Sequence, residues 1–182
     1  MSRPPHTRSR EIRRAVQVPE YEAARRLLRE YQAAIEVDLC FQGFEAELAD
    51  LPARYGRDGA GLWLAWAGAL PLGCIALAPM AGSAAVELKR LYVRPEAQHA
   101  GLGRALVETA LAAAQSAGYA TVRLETLTRL AHANRLYDTL GFVEVADFTA
   151  QGRACGTRFM ERALGARDGP PRRVRQLGAQ LG

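Results

Sequence analysis

The chain has 182 residues, 49% hydrophobic and 24% charged, the proportions of one globular domain with one sizeable core. No apolar run approaches the ~20 residues of a membrane span, and Cys40, Cys74 and Cys155 form no CxxC pair and have no histidine at ligand spacing, so buried thiols and no metal are expected. The net charge of +5 sits at the ends: residues 1–14 carry five Arg against one Glu, residues 165–182 four Arg against one Asp, and the remainder is at −2, which predicts solvated arms rather than a shaped nucleic-acid surface.

Along the chain, the first ten residues have no apolar segment behind their charges, unlike a secretory signal, and their prolines oppose the amphipathic helix of a transit peptide. A cytoplasmic setting follows as the expectation. Residues 1–11 and 165–182 read as disordered basic tails around one domain at 12–164. Residues 12–16 predict a short strand. Pro19 opens a helix whose apolar positions Ala24, Leu27, Leu28, Tyr31 and Ile35 recur at helical spacing. A shorter helix is expected over 44–51, ending near Pro52, followed by a glycine-rich loop at 54–61.

Strands are expected at 62–67, 73–78 and 85–93, joined by loops too short for crossovers and therefore antiparallel. Strict alternation over 85–93 puts Val86, Leu88, Arg90 and Tyr92 on one face and Glu87, Lys89, Leu91 and Val93 on the other. The period then changes. Residues 101–118 predict a helix closed by Gly118, 121–126 a strand, 130–140 a helix closed by Gly141, and 142–148 and 157–161 two more strands. Strand, helix, strand, helix, strand implies an α/β domain with at least one parallel pair beside the meander.

The strongest local signal is Leu91-Tyr-Val-Arg-Pro95 running into Gln98-His-Ala-Gly-Leu-Gly103. A strand ends, a short loop turns, and a helix begins on two glycines. The first turn of a helix offers free N–H groups and the positive end of the dipole, so this is an anion site. Gly101 and Gly103 keep side chains out of the way of a diphosphate, and Arg104 adds charge at the rim. Position 106 is Leu rather than Gly, against a dinucleotide fingerprint, and no Gly-Lys-Ser/Thr is present for a P-loop.

Together with Asn134-Arg-Leu-Tyr137-Asp-Thr-Leu-Gly141-Phe142, these residues resemble the GCN5-related N-acetyltransferase (GNAT) superfamily over about 12–164. Gln98-x-x-Gly101-x-Gly103 looks like its pyrophosphate signature, and Leu136-Tyr137-x-x-x-Gly141-Phe142 like its second motif. The resemblance implies a mixed, mostly antiparallel sheet of about seven strands with a splayed parallel central pair and about four helices. It implies acetyl-CoA as co-substrate without a metal, the pantetheine arm on the backbone of Leu91, Tyr92 and Val93, and the diphosphate on Gln98, His99, Ala100, Gly101, Leu102, Gly103 and Arg104. Asn134 is a further cofactor contact. The chain departs from the pattern at His99, at Ala100 and at Leu130, where many members have Asn.

The reaction so implied is direct attack of a primary amine of a small molecule or peptide on the thioester. Tyr137 would protonate the leaving sulfur, and the Val93 amide would face the oxyanion. The base is Glu87, with Glu125 as runner-up and a water chain as a third possibility. His99 and His132 read as lone exposed histidines. Phe41, Phe44 and Phe148 either wall the acceptor pocket or belong to the core. No specific nucleic acid and no membrane are expected as partners, and the chain is expected to be a monomer or homodimer. Two other readings stand beside the enzyme: a non-catalytic acyl-CoA sensor, and a nucleic-acid-associated protein acting through its Arg-rich tails.

Overall fold

The computed structural model describes residues 10–35, 43–149 and 156–165. Cys40, Phe41, Cys155 and nearly all of the two basic tails lie outside them. The elements run β1 (Arg10–Arg14), α1 (Val18–Ile35), α2 (Phe44–Ala49), α3 (Leu51–Tyr55), β2 (Gly61–Ala67), β3 (Leu70–Pro79), β4 (Ala85–Val93), a 3₁₀ turn (Pro95–Ala97), α4 (Leu102–Ser116), β5 (Thr121–Leu127), α5 (Ala131–Thr139), β6 (Val143–Val145) and β7 (Thr157–Ala163). The seven strands form one sheet in the order β1-β2-β3-β4-β5-β7-β6. Only β4 and β5 run parallel, and their pairing covers Ala85–Glu87 against Thr121–Arg123 before the strands part. The mixed sheet with a splayed central pair is therefore present.

Each face of the sheet carries its own core. On one side α4 packs Leu106, Val107 and Ala110 against Leu77, Val86, Leu88 and Val122. On the other, α1 buries Ala24, Leu27 and Leu28 with Phe44, Leu51, Leu64 and Ala76. α1 starts where Glu20 turns its carboxylate back on the free amides of Val16 and Gln17, 2.7 and 3.0 Å away, satisfying two donors that the first turn leaves open. Among the described residues, no helix is long and apolar enough to cross a membrane.

Several expectations are corrected. β1 begins at Arg10, so Arg10 and Glu11 belong to the sheet rather than to the tail. The single helix expected over 44–51 is two: Asp50 leaves helical geometry at φ −139° and caps a new helix by accepting from the Ala53 amide at 3.0 Å, with Pro52 inside its first turn, where a missing N–H costs nothing. Helices thus number five among the described residues, and the strand expected over 142–148 shortens to Val143–Val145.

Strict alternation fails in β4. Ala76 opposes Lys89 and Cys74 opposes Tyr92, so Arg90 and Leu91 together face Ile75 alone. This is a β-bulge, with Arg90 at φ 60°. It reverses the phase of everything after it. Val86, Leu88, Leu91 and Val93 share the α4 face, whereas Arg90 and Tyr92 join the other. β3 accommodates the distortion with a glycine: a Cβ on Gly73 would lie 2.5 Å from the Tyr92 carbonyl oxygen.

Candidate active site

The parting of β4 from β5 opens a cleft of about 920 Å³, at the upper end of the range for ligand pockets. One wall is the end of β4 with Leu91, Tyr92 and Val93. Another is the turn into α4, with Gln98, His99, Gly101, Leu102, Gly103 and Arg104. α5 supplies His132, Arg135 and Leu136, and Tyr31 of α1 closes one end. Nine of the expected contact residues therefore meet in one cleft. Ala100 is exposed on the turn and is not part of the lining.

Gly101 caps α4 in the left-handed region at φ 74°, a conformation that disfavours a Cβ although the space around it is open. The first intrahelical bond runs from the Ala105 amide to the Gly101 carbonyl, 3.0 Å. The amides of Leu102, Gly103 and Arg104 thus point out of the helix end toward the cleft. Arg104 and Arg135 line the cleft with these amides, and Arg129, which donates to the Ile35 carbonyl at the end of α1, lines it as well, giving an anion-attracting charge over an apolar wall.

The end of β4 is oriented by two bonds. The Arg94 amide donates to Leu72 O of β3 at 2.9 Å. Alternation along a strand then turns the N–H and C=O of Val93 the opposite way, into the gap left by β5. Gln98 Nε2 donates to that carbonyl at 3.0 Å, folding the phosphate turn back onto β4. The Val93 amide faces the gap.

Across the sheet from α4, the same parting exposes carboxylates. Glu87 accepts from Lys89 Nζ at 2.9 Å and is occupied by that pair. Glu125 is half-buried, and burial, then the like charges of Glu87 and Asp147, raise its pKa above the usual carboxylate range. The surroundings of Glu125 thus increase its basicity.

Tyr137 is not part of the cleft surface. It is buried in the core under α5, edge-to-face with Phe142 at 5.6 Å, while its neighbour Leu136 reaches the cleft. Burial, and secondarily the field of Tyr31, raise its pKa, so its hydroxyl stays protonated. Asn134 is likewise buried. Its Nδ2 donates to the carbonyls of Leu127 and Thr128, at 3.0 and 3.2 Å, so it ties α5 to the end of β5 rather than touching the cleft.

Two features escape sequence reasoning. His99 and His132 are not isolated: their rings meet edge to face at 5.5 Å, one from the phosphate turn and one from α5. Tyr31, an ordinary apolar position on a helix by spacing, lines the cleft and feels the charges of both Arg90 and Glu125. Phe44 is core, fully buried. Phe148 packs on Phe159 at 5.2 Å, under the Arg123 guanidinium. Among the described residues, no group of three or more His, Cys, Asp or Glu could hold a metal.

Comparison with known proteins gives the same frame. Residues 58–144 match the family described as the acetyltransferase (GNAT) domain. An uncharacterized N-acetyltransferase of Schizosaccharomyces pombe is 37% identical over 130 residues, 70% of this chain and 80% of that protein. Among solved structures, a GNAT-family acetyltransferase from Staphylococcus aureus superposes with a TM-score of 0.72 at 19% identity, covering 86% of this chain and all of that one. The PaiA N-acetyltransferase of Thermoplasma acidophilum, solved in complex with coenzyme A, superposes with a TM-score of 0.65 at 21% identity, covering 86% and 99%.

Proposed function

Since this chain belongs to the GNAT acetyltransferase family, we propose that it binds acetyl-CoA in the β4–β5 cleft and transfers the acetyl group to a primary amine by direct attack. The observation that carries the reading is the meeting of two different features in one cleft. A helix N-terminus with three free amides and a basic rim suits a diphosphate, and a splayed strand end with the Val93 amide turned into the gap suits an acyl group. An apolar stretch formed by Leu91, Val93 and Leu136 lies between them, in keeping with a flexible arm.

In this reading the roles divide by position. The amides of Leu102, Gly103 and Arg104 hold the diphosphate, with His99, His132 and the arginines of the rim around it. The Val93 amide donates to the oxygen that gains charge as the amine attacks. Glu125, on the face opposite α4, takes the proton that the amine must lose, and Glu87 with Lys89 shapes the field around it. Tyr137 lies just behind the cleft wall, close enough for the cleft-lining Tyr31 to act on it, and its protonated hydroxyl is assigned the proton for the departing thiolate. The acceptor is an amine of a small molecule or peptide reaching the gap from the Glu125 face.

The test is release of free thiol from acetyl-CoA in the presence of a panel of primary amines, including amino acids, polyamines and peptides with free N-termini. Amine-dependent release is expected for at least one class. Tight coenzyme A binding with no release across the panel would replace the enzyme reading with that of an acyl-CoA sensor.

A further inference from the structure

Arg90 combines two unfavourable features. It is a non-glycine residue at φ 60°, and its guanidinium is buried, with a side chain only 3% exposed. Its surroundings answer both. Glu47 of α2, also fully buried, accepts from Arg90 Nε at 3.0 Å and from Nη2 at 2.9 Å, a two-bond fork. Tyr55 of α3 donates to the same carboxylate at 2.6 Å. The Arg90 guanidinium lies over the Phe44 ring at 4.9 Å, and the Cys74 thiol donates to the Arg90 carbonyl at 3.5 Å. The Arg90 charge also acts on the Tyr31 hydroxyl at the cleft wall. An apolar pair of similar volume would fill this space without burying charge, so stability alone does not explain an ion pair here.

Its place in the fold does. Arg90 is the extra residue of the bulge, and the bulge decides which side chains and amides of β4 face the cleft. Two residues further on is Tyr92, and beyond it Val93, whose amide turns into the gap.

We propose that Arg90 is a positioning residue for acyl transfer: clamped by Glu47, it locks the β4 bulge that aims Leu91 and Val93 at the cleft. The clamp joins the helices covering one face of the sheet to the strand that receives the acyl group on the other. The inference rests on the acetyl-CoA reading above.

The experiment compares the wild type with Arg90→Lys, which keeps the charge but not the fork, and with the double variant Glu47→Leu/Arg90→Met, which replaces the pair by apolar groups. Thermal melts report folding, calorimetry with coenzyme A reports the phosphate turn, and ¹⁵N–¹H spectra with coenzyme A and then acetyl-CoA report the Val93 amide. In the wild type, acetyl-CoA shifts the Val93 amide beyond the shift caused by coenzyme A. In a folded variant that extra shift is lost while coenzyme A affinity stays within about twofold, as for independent sites. A folded variant that keeps the acetyl-specific shift overturns the inference, as does a wild type that binds both ligands without one. Failure of both variants to fold also overturns it, because the pair would then serve the fold rather than the site. A wild type that binds no coenzyme A sinks the acetyl-CoA reading instead, and the two failures are told apart.

Discussion

Glu125 and Glu87 share one face of the sheet where β4 and β5 part, and burial together with the like charge of Glu87 raises the pKa of Glu125. A carboxylate in that state is a better base at neutral pH than a solvated one, and it is also a burden on the fold. Both consequences have a sign. Because the folded pKa lies above the unfolded one, the ionised form opposes folding at pH values above the unfolded pKa. Glu125→Gln is expected to raise Tm at pH 7 while lowering kcat about 100-fold, the low end of a general-base contribution. In the wild type, kcat/KM falls as pH drops through a limb above the ordinary carboxylate range, and the variant loses that limb. A Tm that falls alongside an unchanged kcat would move the base elsewhere.

Gly103 sits in the first turn of α4, where an added Cβ would make only ordinary contacts, 3.6 Å from Leu136 Cδ2. Gly103→Glu is therefore expected to fold, and it puts a bulky anion among the amides assigned to the diphosphate. Saturating acetyl-CoA stabilises the wild type by mass action, about 2.7 kcal/mol at 100 times Kd. The variant is expected to show a small fraction of that shift. Equal thermal shifts in both proteins would remove the diphosphate from this turn.

His99 and His132 approach edge to face from different elements, at 5.5 Å, on the rim of the same cleft. Their pairing is expected to hold the turn against α5 when ligand is bound. Coenzyme A affinities of His99→Ala, His132→Ala and the double variant form a cycle. The expected coupling is about 0.5–1.5 kcal/mol, the usual worth of an aromatic pair. Strict additivity would return the two histidines to independent surface positions.

Much of this arrangement was legible in the order of residues, for reasons that can be named. The Gly101 and Gly103 turn depends on local chemistry, a left-handed cap and bare amides, and local chemistry is what a sequence displays. The meander and the later helices follow from periods of two and 3.6 residues. The bulge at Arg90 left one trace in the sequence, the adjacent charges Lys89-Arg90 before Leu91, and a strict alternation passed over it; what holds the extra residue is set by contacts with Glu47 and Cys74, 43 and 16 positions away. The choice between Glu87 and Glu125 was hidden for the same reason. Only the folded chain pairs Glu87 with Lys89 and leaves Glu125 beside two like charges. Asn134 has the residue type of a ligand contact, and its place under α5 is what makes it a tie between backbone segments.

Tyr137 tests the proton delivered to the leaving thiolate. Its ring packs on Phe142, so Tyr137→Phe keeps the packing and removes only the hydroxyl. Turnover is expected to fall roughly 100-fold, the low end for a positioned proton donor, with the Kd for coenzyme A unchanged because the phosphate turn is untouched. With an acyl thioester whose thiol has a lower pKa, the deficit is expected to shrink, since that sulfur leaves without help. A deficit independent of the leaving group would assign the hydroxyl a different task.

The buried pair Glu47–Arg90 gives the fold a dependence on acid. Burial by itself would raise the Glu47 pKa, but the Arg90 fork and the Tyr55 hydroxyl outweigh it and hold the carboxyl below its ordinary value of 4.5. A depressed carboxyl contributes stability that is complete above the unfolded pKa and is lost as pH falls through the folded one. The window therefore opens near pH 4.5 and extends below it. Glu47→Gln keeps the shape but leaves the Arg90 charge uncompensated, and at pH 7 it is expected to cost about 3 kcal/mol. Urea unfolding of both proteins between pH 7 and pH 3 should show the gap narrowing as the wild type is protonated. Two curves that stay parallel across that range would mean that Glu47 acts through its shape and not its charge.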